Sequence, residues 1–568
     1  MDDSPLQGLL ISDFNAEVLA NYLNNAEGLP ALEVASADFN QVMAVLLNPD
    51  DPSARGKDFL FIWTQPDRLF DSFRRFLAFE DVSLEEILEE VDRFSQLLRS
   101  REKGKTVILI AGWMLAPYQH KVNVLQDMKK RRGLSYVLMK MNARLIENTA
   151  DSSSIHVLNP RGWVEAVGRN AFNPKLWYMG KIPFDSLVFK EAAGDIKAAL
   201  RGIRGLSRKL VVLDLDDTLW GGIVGDEGWE NIRLGGHDPI GEAFADFQLA
   251  LRSLKRQGIL LGIVSKNEEA TALEAIRRHP EMVLKEEDFS GWRINWNDKA
   301  QNIAELAAEL NLGLQSVIFI DDNPIERARV RETLPEVLVP DWPQDKLLYR
   351  KTLLSLGCFD SPNVTAEDLE RSRMYAQERG RKDMLTQVGS LDEWLKSLDI
   401  KVKVTPLSKM DLARTTQLLN KTNQMNLSTR RMSEPELEAW AAHPSRKLWT
   451  FRVADKFGDS GLTGIASVEI DGPVALIVDF ILSCRVFGRK VEDLMLHVVY
   501  AYARERGVTQ LQARYLPTAK NKPCLEFLQR LKVNEPEPQL FVWDMTQGYE
   551  VPEQLTVDIS EGATDVIA

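Results

Sequence analysis

Three short apolar runs set the terms for the middle of this chain. KLVVLDLD, ILLGIVS and SVIFID are too short for helices and too uniformly apolar for strands with one wet face. Runs of this kind read as fully buried strands of a parallel sheet. Amphipathic patterns, EAFADFQLALRSLKRQG and AQNIAELAAELNLG, separate them, which predicts an α/β unit covered by helices. Each run delivers a polar residue at its end: Asp214, Ser265 and Asp321. The carboxyl ends of parallel strands line one edge, where ligands bind, so these three residues are expected to converge.

VVLDLDDTLWGG is the most specific segment. It places Asp214 at a strand end, Asp216 on the same side of the turn, and Thr218 two residues later. Two carboxylates this close do not both ionise comfortably unless a cation joins them. A hard divalent ion with oxygen ligands, Mg²⁺, is the expected one. Ser265 and Lys266 in GIVSKN, Lys299 in NWNDKA, and Asp321 and Asp322 in FIDDNP complete the set. Asn267, Asp298 and Asn323 read as turn or supporting residues. Trp220, Gly221 and Gly222 read either as a flap over a phosphate or as a tight turn beside a tryptophan anchor.

This ordered set resembles the haloacid dehalogenase (HAD) superfamily of phosphotransferases. The resemblance implies that Asp214 attacks phosphorus, and that Asp216 is general acid for the leaving oxygen and then base for water. Mg²⁺ would be held by Asp214, the Asp216 carbonyl, and Asp321 or Asp322. Thr218, Ser265, Lys266 and Lys299 would bind the phosphoryl group.

Residues 1–205 alternate between short apolar runs (GLLISDF, FLFIWTQ, TVILIAGW, SYVLMKMN, SIHVLN), read as strands, and amphipathic helices such as LEEILEEVDRFSQLLRS. An α/β domain is expected there. Residues 206–345 form the HAD-like domain and 346–397 a helical linker. Residues 398–550 follow the order strand–helix–three strands–helix–strand–helix–strand, and 551–568 read as a tail. The third domain resembles the GNAT acyltransferase fold. In that fold a strand feeds a glycine-containing turn whose N–H groups and following helix hold the phosphates of coenzyme A. RVFGRK supplies Arg485, Gly488 and Arg489 as phosphopantetheine-binding candidates, with Lys490 where a small residue is usual. Cys484 immediately precedes this turn. It reads either as a buried small hydrophobe or as a thiolate favoured by Arg485 and a helix N-terminus.

VLDLDDTLWGG, FIDDNPIER, QLLNKTNQMNLSTRR, DKFGDSGLTGIA, LSCRVFGR and YLPTAKNKP, in this order, resemble the FkbH-like family within HAD subfamily IIIC. The match runs through residues 206–545. It extends more loosely to the N-terminal domain, where the family has an SGNH-like or flavodoxin-like fold. The resemblance implies transfer of a glyceryl or similar short hydroxyacyl unit from 1,3-bisphosphoglycerate to an acyl carrier protein, for polyketide-type biosynthesis. Cys484 would bear the acyl group and the HAD set would remove its phosphate. Arg430, Arg431, Lys421 and Asn423 become candidates for holding phosphate or carboxylate, and Lys520 and Asn521 for lying near the acyl site. Asp217 stands where the family has Asn, and Met425 where Phe is common. Ser12 and Asp13, in LLISDFN, stand in the wrong order for an SGNH nucleophile, and no convincing Asp-x-x-His follows; a non-catalytic role is expected for the domain. Cys358 and Cys524 read as packing residues, and His497 as a helix-face residue.

Composition narrows the partners. A net charge of -13 argues against nucleic acid. No apolar run reaches membrane-spanning length, and the N-terminus is acidic where a signal peptide is basic. Three cysteines, far apart, argue against a disulfide framework. A cytoplasmic location is expected. A competing reading is a HAD phosphatase fused to a coenzyme A-dependent N-acetyltransferase; a third is a non-enzymatic scaffold on a relic HAD fold.

Overall fold

The computed structural model describes residues 4–102, 106–118, 124–310, 312–361, 391–422, 425–483, 486–518, 521–546 and 548–560, apart from the side chains of Leu391 and Lys421. The chain divides into two compact units, residues 1–209 with 348–364, and residues 210–347 with 365–568.

The first unit is built on five parallel strands: β1 (Leu6–Ser12), β2 (Leu32–Ser36), β3 (Phe59–Trp63), β4 (Val107–Ala111) and β5 (Ile155–Leu158). Their order, β2-β1-β3-β4-β5, is a doubly wound one. Alternate residues serve two cores. Leu10, Phe59, Phe61 and Leu109 pack on one face, and Leu9, Leu60, Ile62, Ile108 and Ile110 on the other. SYVLMKMN, read as a strand, lies instead in the helix Leu134–Thr149, whose buried residues Leu134, Val137, Met141 and Leu145 recur at three and four. The short apolar run hid a helical period that only a longer window displays. β2, in LEVAS, carries little apolar signal, since it buries only Leu32 and Val34.

Part of the segment read as a linker belongs to this unit. Arg208 N–H donates to the Cys358 carbonyl at 2.8 Å, and Arg201 to the Gly357 carbonyl at 2.8 Å. Cys358 is buried, and burial pushes its thiol up to about 12. The Ser12 hydroxyl donates to the Phe14 carbonyl at 2.5 Å. Asp13 is buried and accepts the Gln65 N–H at 2.9 Å.

In the second unit, four parallel strands follow the order β8-β7-β6-β9: β6 (Leu210–Leu213), β7 (Leu260–Ser265), β8 (Gly291–Ile294) and β9 (Val317–Ile320). These include the three apolar runs read from the sequence. A second, mixed sheet follows the path β16-β17-β15-β14-β13-β12-β10-β18, with β11 (Met425–Asn426) paired to β14. Its members are β10 (Ile400–Pro406), β12 (Arg446–Asp455), β13 (Gly458–Asp471), β14 (Val474–Leu482), β15 (Gln510–Arg514), β16 (Asn534–Glu537), β17 (Leu540–Asp544) and β18 (Leu555–Ile559). Two helices, Leu412–Lys421 and Glu434–Ala441, lie between β10 and β12 where one was expected. The segment read as a tail supplies β18, parallel to β10.

Burial raises the Asp13 carboxyl from 3.8 to about 7. A raised acid binds its proton more tightly when folded, so its contribution is full below the unfolded value and is lost as pH climbs through the folded one. Asp13→Asn should therefore gain thermal stability relative to wild type between about pH 4 and pH 7, by up to roughly 4 kcal/mol, and level off above. Paired melting curves across pH 4–9 check this; a difference independent of pH contradicts it.

Candidate active site

The sheet edge gathers what the sequence placed there. Asp214 follows β6 and extends its ladder, donating its N–H to the Ile320 carbonyl at 3.0 Å. Asp321 follows β9, and Ser265 closes β7; all three are buried. Lys299 opens the helix Lys299–Glu309, capped by Asp298, whose side chain accepts the Ala300 and Gln301 N–H groups. Its ammonium sits between two carboxylates, 2.6 Å from Asp321 Oδ2 and 3.0 Å from Asp214 Oδ2. Burial alone would lower the Lys299 pKa, but the charges of Asp214 and Asp321 outweigh it and raise it. Burial, and then the neighbouring Asp214 charge, hold Asp321 up at about 6.

Asp214, Asp321 and Asp322 each present an oxygen within 4.8 Å of the others'. Asp214 Oδ1 is buried and accepts no hydrogen bond among the described residues. A buried carboxylate oxygen without a donor is costly unless a cation or substrate meets it, so this donor set suits a hard cation such as Mg²⁺.

Asp216 is held differently. Its Oδ1 accepts from the Trp220 indole at 2.9 Å and the Val224 N–H at 3.1 Å, and its Oδ2 from Asn267 at 2.9 Å. Burial nevertheless raises its pKa above the usual carboxylate range. Trp220 is therefore a buried anchor that orients Asp216, which decides between its two sequence readings. Asn267 takes the supporting part expected of it.

Thr218, Lys266 and the basic pairs are placed less simply. Thr218 is fully buried, and its hydroxyl accepts the Asp322 N–H at 3.1 Å, clamping one edge loop to the other. Lys266 pairs with Glu326 at 2.7 Å. Arg327 and Lys346 carry no motif that marks them in the sequence. Arg327 donates to the carbonyls of Asp321 and Asp322, both at 2.7 Å. Lys346 donates to the Asp217 carbonyl at 2.7 Å and lies 3.6 Å from the Asp322 carboxylate. Asp217 has a positive φ of 51°, a conformation that Asn and Asp adopt more readily than most residues.

In the mixed sheet, Arg430 pairs with the fully buried Asp479 of β14 and lies 4.4 Å over the Trp440 ring. Arg431 donates to the Leu419 carbonyl. Asn521 is buried and holds β11, donating to the Asn426 carbonyl at 3.0 Å. Arg489 is 3% exposed and pairs with Asp455 at 3.2 Å. Gly488 has φ 79° and Lys490 φ 66°, so the turn takes the left-handed form that favours glycine at two positions. Met425 is buried, and His497 Nδ1 meets the Tyr549 carbonyl at 2.6 Å. Cys524 is fully buried, and burial pushes its thiol up to about 12. Cys484, Arg485, Asn423, Lys520 and the Lys421 side chain lie outside the described residues.

One solved structure is similar over more than half of this chain. It is the N-terminal part of the protein BF1531 from Bacteroides fragilis, containing a phosphatase domain complexed with Mg. The two are 29% identical with a TM-score of 0.56, covering 63% of this chain and 95% of that one. Slighter similarities, each over about a quarter of this chain, include two acetyltransferases. The ribosomal-protein-S18-alanine N-acetyltransferase from Escherichia coli is 12% identical, covers 26% of this chain and 96% of its own, and has a TM-score of 0.20. PaiA N-acetyltransferase from Thermoplasma acidophilum, in complex with coenzyme A, is 15% identical, covers 25% and 96%, and has a TM-score of 0.19. Similarities of that order carry no functional weight. No family profile and no curated protein matches the chain. Among the described residues, no helix is long and apolar enough to cross a membrane.

Removing the ammonium from the buried cluster leaves Asp214 and Asp321 facing each other. Lys299→Met should cost about 3–5 kcal/mol of stability, and added Mg²⁺ should restore more of the melting temperature in the variant than it adds to wild type. Thermal melts with and without Mg²⁺ check both; an unchanged melting temperature contradicts the clustering.

Proposed function

We propose that this chain takes a short hydroxyacyl unit, glyceryl from 1,3-bisphosphoglycerate, removes its phosphate ester at the Asp214 centre, and passes the acyl group through Cys484 to the phosphopantetheine thiol of an acyl carrier protein. The observation that carries the phosphatase half is the buried Asp214–Lys299–Asp321 cluster, whose Asp214 Oδ1 has no partner among the described residues, beside Asp216, whose pKa burial raises. The similarity to a phosphatase-containing structure complexed with Mg supports the same half. The acyl half rests on the ordered motifs and on the position of Cys484, two residues after β14.

At the first site an Asp214 oxygen attacks phosphorus and the ester P–O bond breaks. The leaving alkoxide takes the proton of Asp216, which burial keeps protonated further up the pH scale than an ordinary carboxylate. Asp216, now a base, takes a proton from water. That water attacks the aspartyl phosphate, the bond to Asp214 breaks, and inorganic phosphate leaves. Mg²⁺ bound to Asp214, Asp321 and Asp322 would neutralise the paired carboxylates and polarise the phosphoryl oxygens. Ser265 and Lys299 meet the developing charge at fixed positions, while Thr218 and Arg327 hold the loops that carry the ligands.

At the second site the Cys484 thiolate attacks the acyl carbon of the acyl phosphate. The C–O bond to phosphate breaks, and phosphate departs. The carrier's thiolate then attacks the thioester carbon and the Cys484 sulfur leaves. Arg430, Arg431 and Arg489 are committed to Asp479, the Leu419 carbonyl and Asp455. Their part in this reading is to shape the turn and the loop beside β14, leaving phosphate contacts to backbone N–H groups around Gly488.

Cys484→Ala should abolish the acyl-protein adduct formed with 1,3-bisphosphoglycerate while leaving hydrolysis of a generic phosphate ester intact. Asp214→Asn should cut that hydrolysis by roughly 10³-fold or more and leave an adduct that retains its phosphate. Intact-protein mass spectrometry reads both. Wild-type protein that stays unmodified while a carrier is acylated would overturn the covalent step. Acetyl-coenzyme A turnover without an adduct would favour the fused phosphatase–acetyltransferase instead.

A further inference from the structure

Each carboxylate of the converging set Asp214, Asp321 and Asp322 has an ammonium against it. Lys299 takes Asp214 and Asp321, at 3.0 and 2.6 Å. Lys346 faces the third, Asp322, at 3.6 Å. The two lysines are not alike. The Lys299 side chain is 4% exposed and opens the helix beside the centre, whereas that of Lys346 is 20% exposed and comes from 129 positions beyond Asp217.

Lys346 is fixed to backbone. Its ammonium donates to the Asp217 carbonyl at 2.7 Å, while the nearest carboxylate oxygens of Asp217 and Asp322 stand at 3.9 and 3.6 Å. At those separations the ammonium acts on both carboxylates by charge and not through hydrogen bonds. Removing the Asp217 carboxylate would therefore leave the ammonium anchored where it is.

Asp217 adds a charge that is not among the three whose oxygens converge. Its side chain is half-exposed, and its φ of 51° is one that asparagine adopts as readily. The rim of the centre thus carries one extra negative and one extra positive charge, and Asp217 and Asp322 share the same ammonium. A divalent cation held by Asp214, Asp321 and Asp322 would feel the two with opposite signs. Asp217 attracts it; Lys346 repels it and competes for Asp322. Unit charges a few ångströms apart near a protein surface shift a binding constant by an order of magnitude, and added salt screens them.

We propose that Asp217 and Lys346 are a compensating pair that sets how tightly the Asp214 centre holds its divalent cation, neither residue belonging to the donor set. This rests on the reading of that centre as a divalent-cation site. Mg²⁺ is commonly held by one or two carboxylates together with waters and substrate phosphates. An affinity held down by Lys346 leaves the phosphate of the substrate to complete the binding.

The test is a calorimetric titration of Mg²⁺ into the full chain at neutral pH and low salt, on wild type, Asp217→Asn, Lys346→Met, Lys346→Arg and the double variant of the first two substitutions. Asp217→Asn should weaken Mg²⁺ binding roughly 3- to 10-fold, and Lys346→Met should tighten it by a similar factor. The double variant should return close to wild type, and arginine, which keeps the charge, should stay there. In about 0.5 M salt the differences should fade, which the effect of a loosened loop would not do. Should Lys346→Met not fold, Asp217→Asn at the two salt concentrations decides, since asparagine suits the backbone there. Equal affinities across the set, or weaker binding by Lys346→Met at both salt concentrations, overturn the inference while leaving the cation site standing. Wild type without saturable Mg²⁺ uptake removes the site and the inference together.

Discussion

One buried ammonium holds the phosphatase-like centre together. Lys299 lies within 3.0 Å of Asp214 and 2.6 Å of Asp321, all three being buried. Like charges this close in a medium of low dielectric repel strongly. Without the ammonium, one carboxylate would have to take up a proton or the edge would have to open. The cluster is strained in a useful way. The Lys299 charge neutralises only part of it, and the remaining demand, felt at the raised Asp321 carboxyl and at the Asp214 oxygen that has no partner among the described residues, is for a further positive charge or an electrophile.

Around this centre the protein uses backbone groups as anchors more than side-chain pairs. Thr218 takes the Asp322 N–H, Arg327 caps the carbonyls of Asp321 and Asp322, and Lys346 caps that of Asp217. Asp216 is oriented by three donors and yet kept basic by burial. The two aspartates of one turn are thereby given different surroundings, one facing an ammonium and the other three hydrogen-bond donors.

The mixed sheet spends its cations internally. Arg430 and Arg489 each face a carboxylate with almost no exposure, Asp479 and Asp455. Each pair ties a loop or turn to a strand of the sheet. Not every buried polar group there is paired: Glu492 Oε2 and the hydroxyls of Thr415, Thr416 and Thr463 have no partner among the described residues.

What the sequence determined by itself was local. Uniform apolar runs demanded buried parallel strands, and the residue ending each run had to share one edge, because parallel strands present their carboxyl ends together. So Asp214, Ser265, Asp321 and the lysine opening the next helix were legible, as were several elements of residues 398–550, though not β11, the second helix before β12 or β16. The helix in SYVLMKMN and the strand in the last residues were not, since a short apolar run fits either period. Only the tertiary structure decided which partner each polar group found. Thr218 meets a residue 104 positions away, Lys346 one 129 away, and Arg430 one 49 away. Hydrogen bonds and ion pairs act over a few ångströms, and which distant segments come that close is set by the packing of whole elements, for which no short stretch of sequence holds a record.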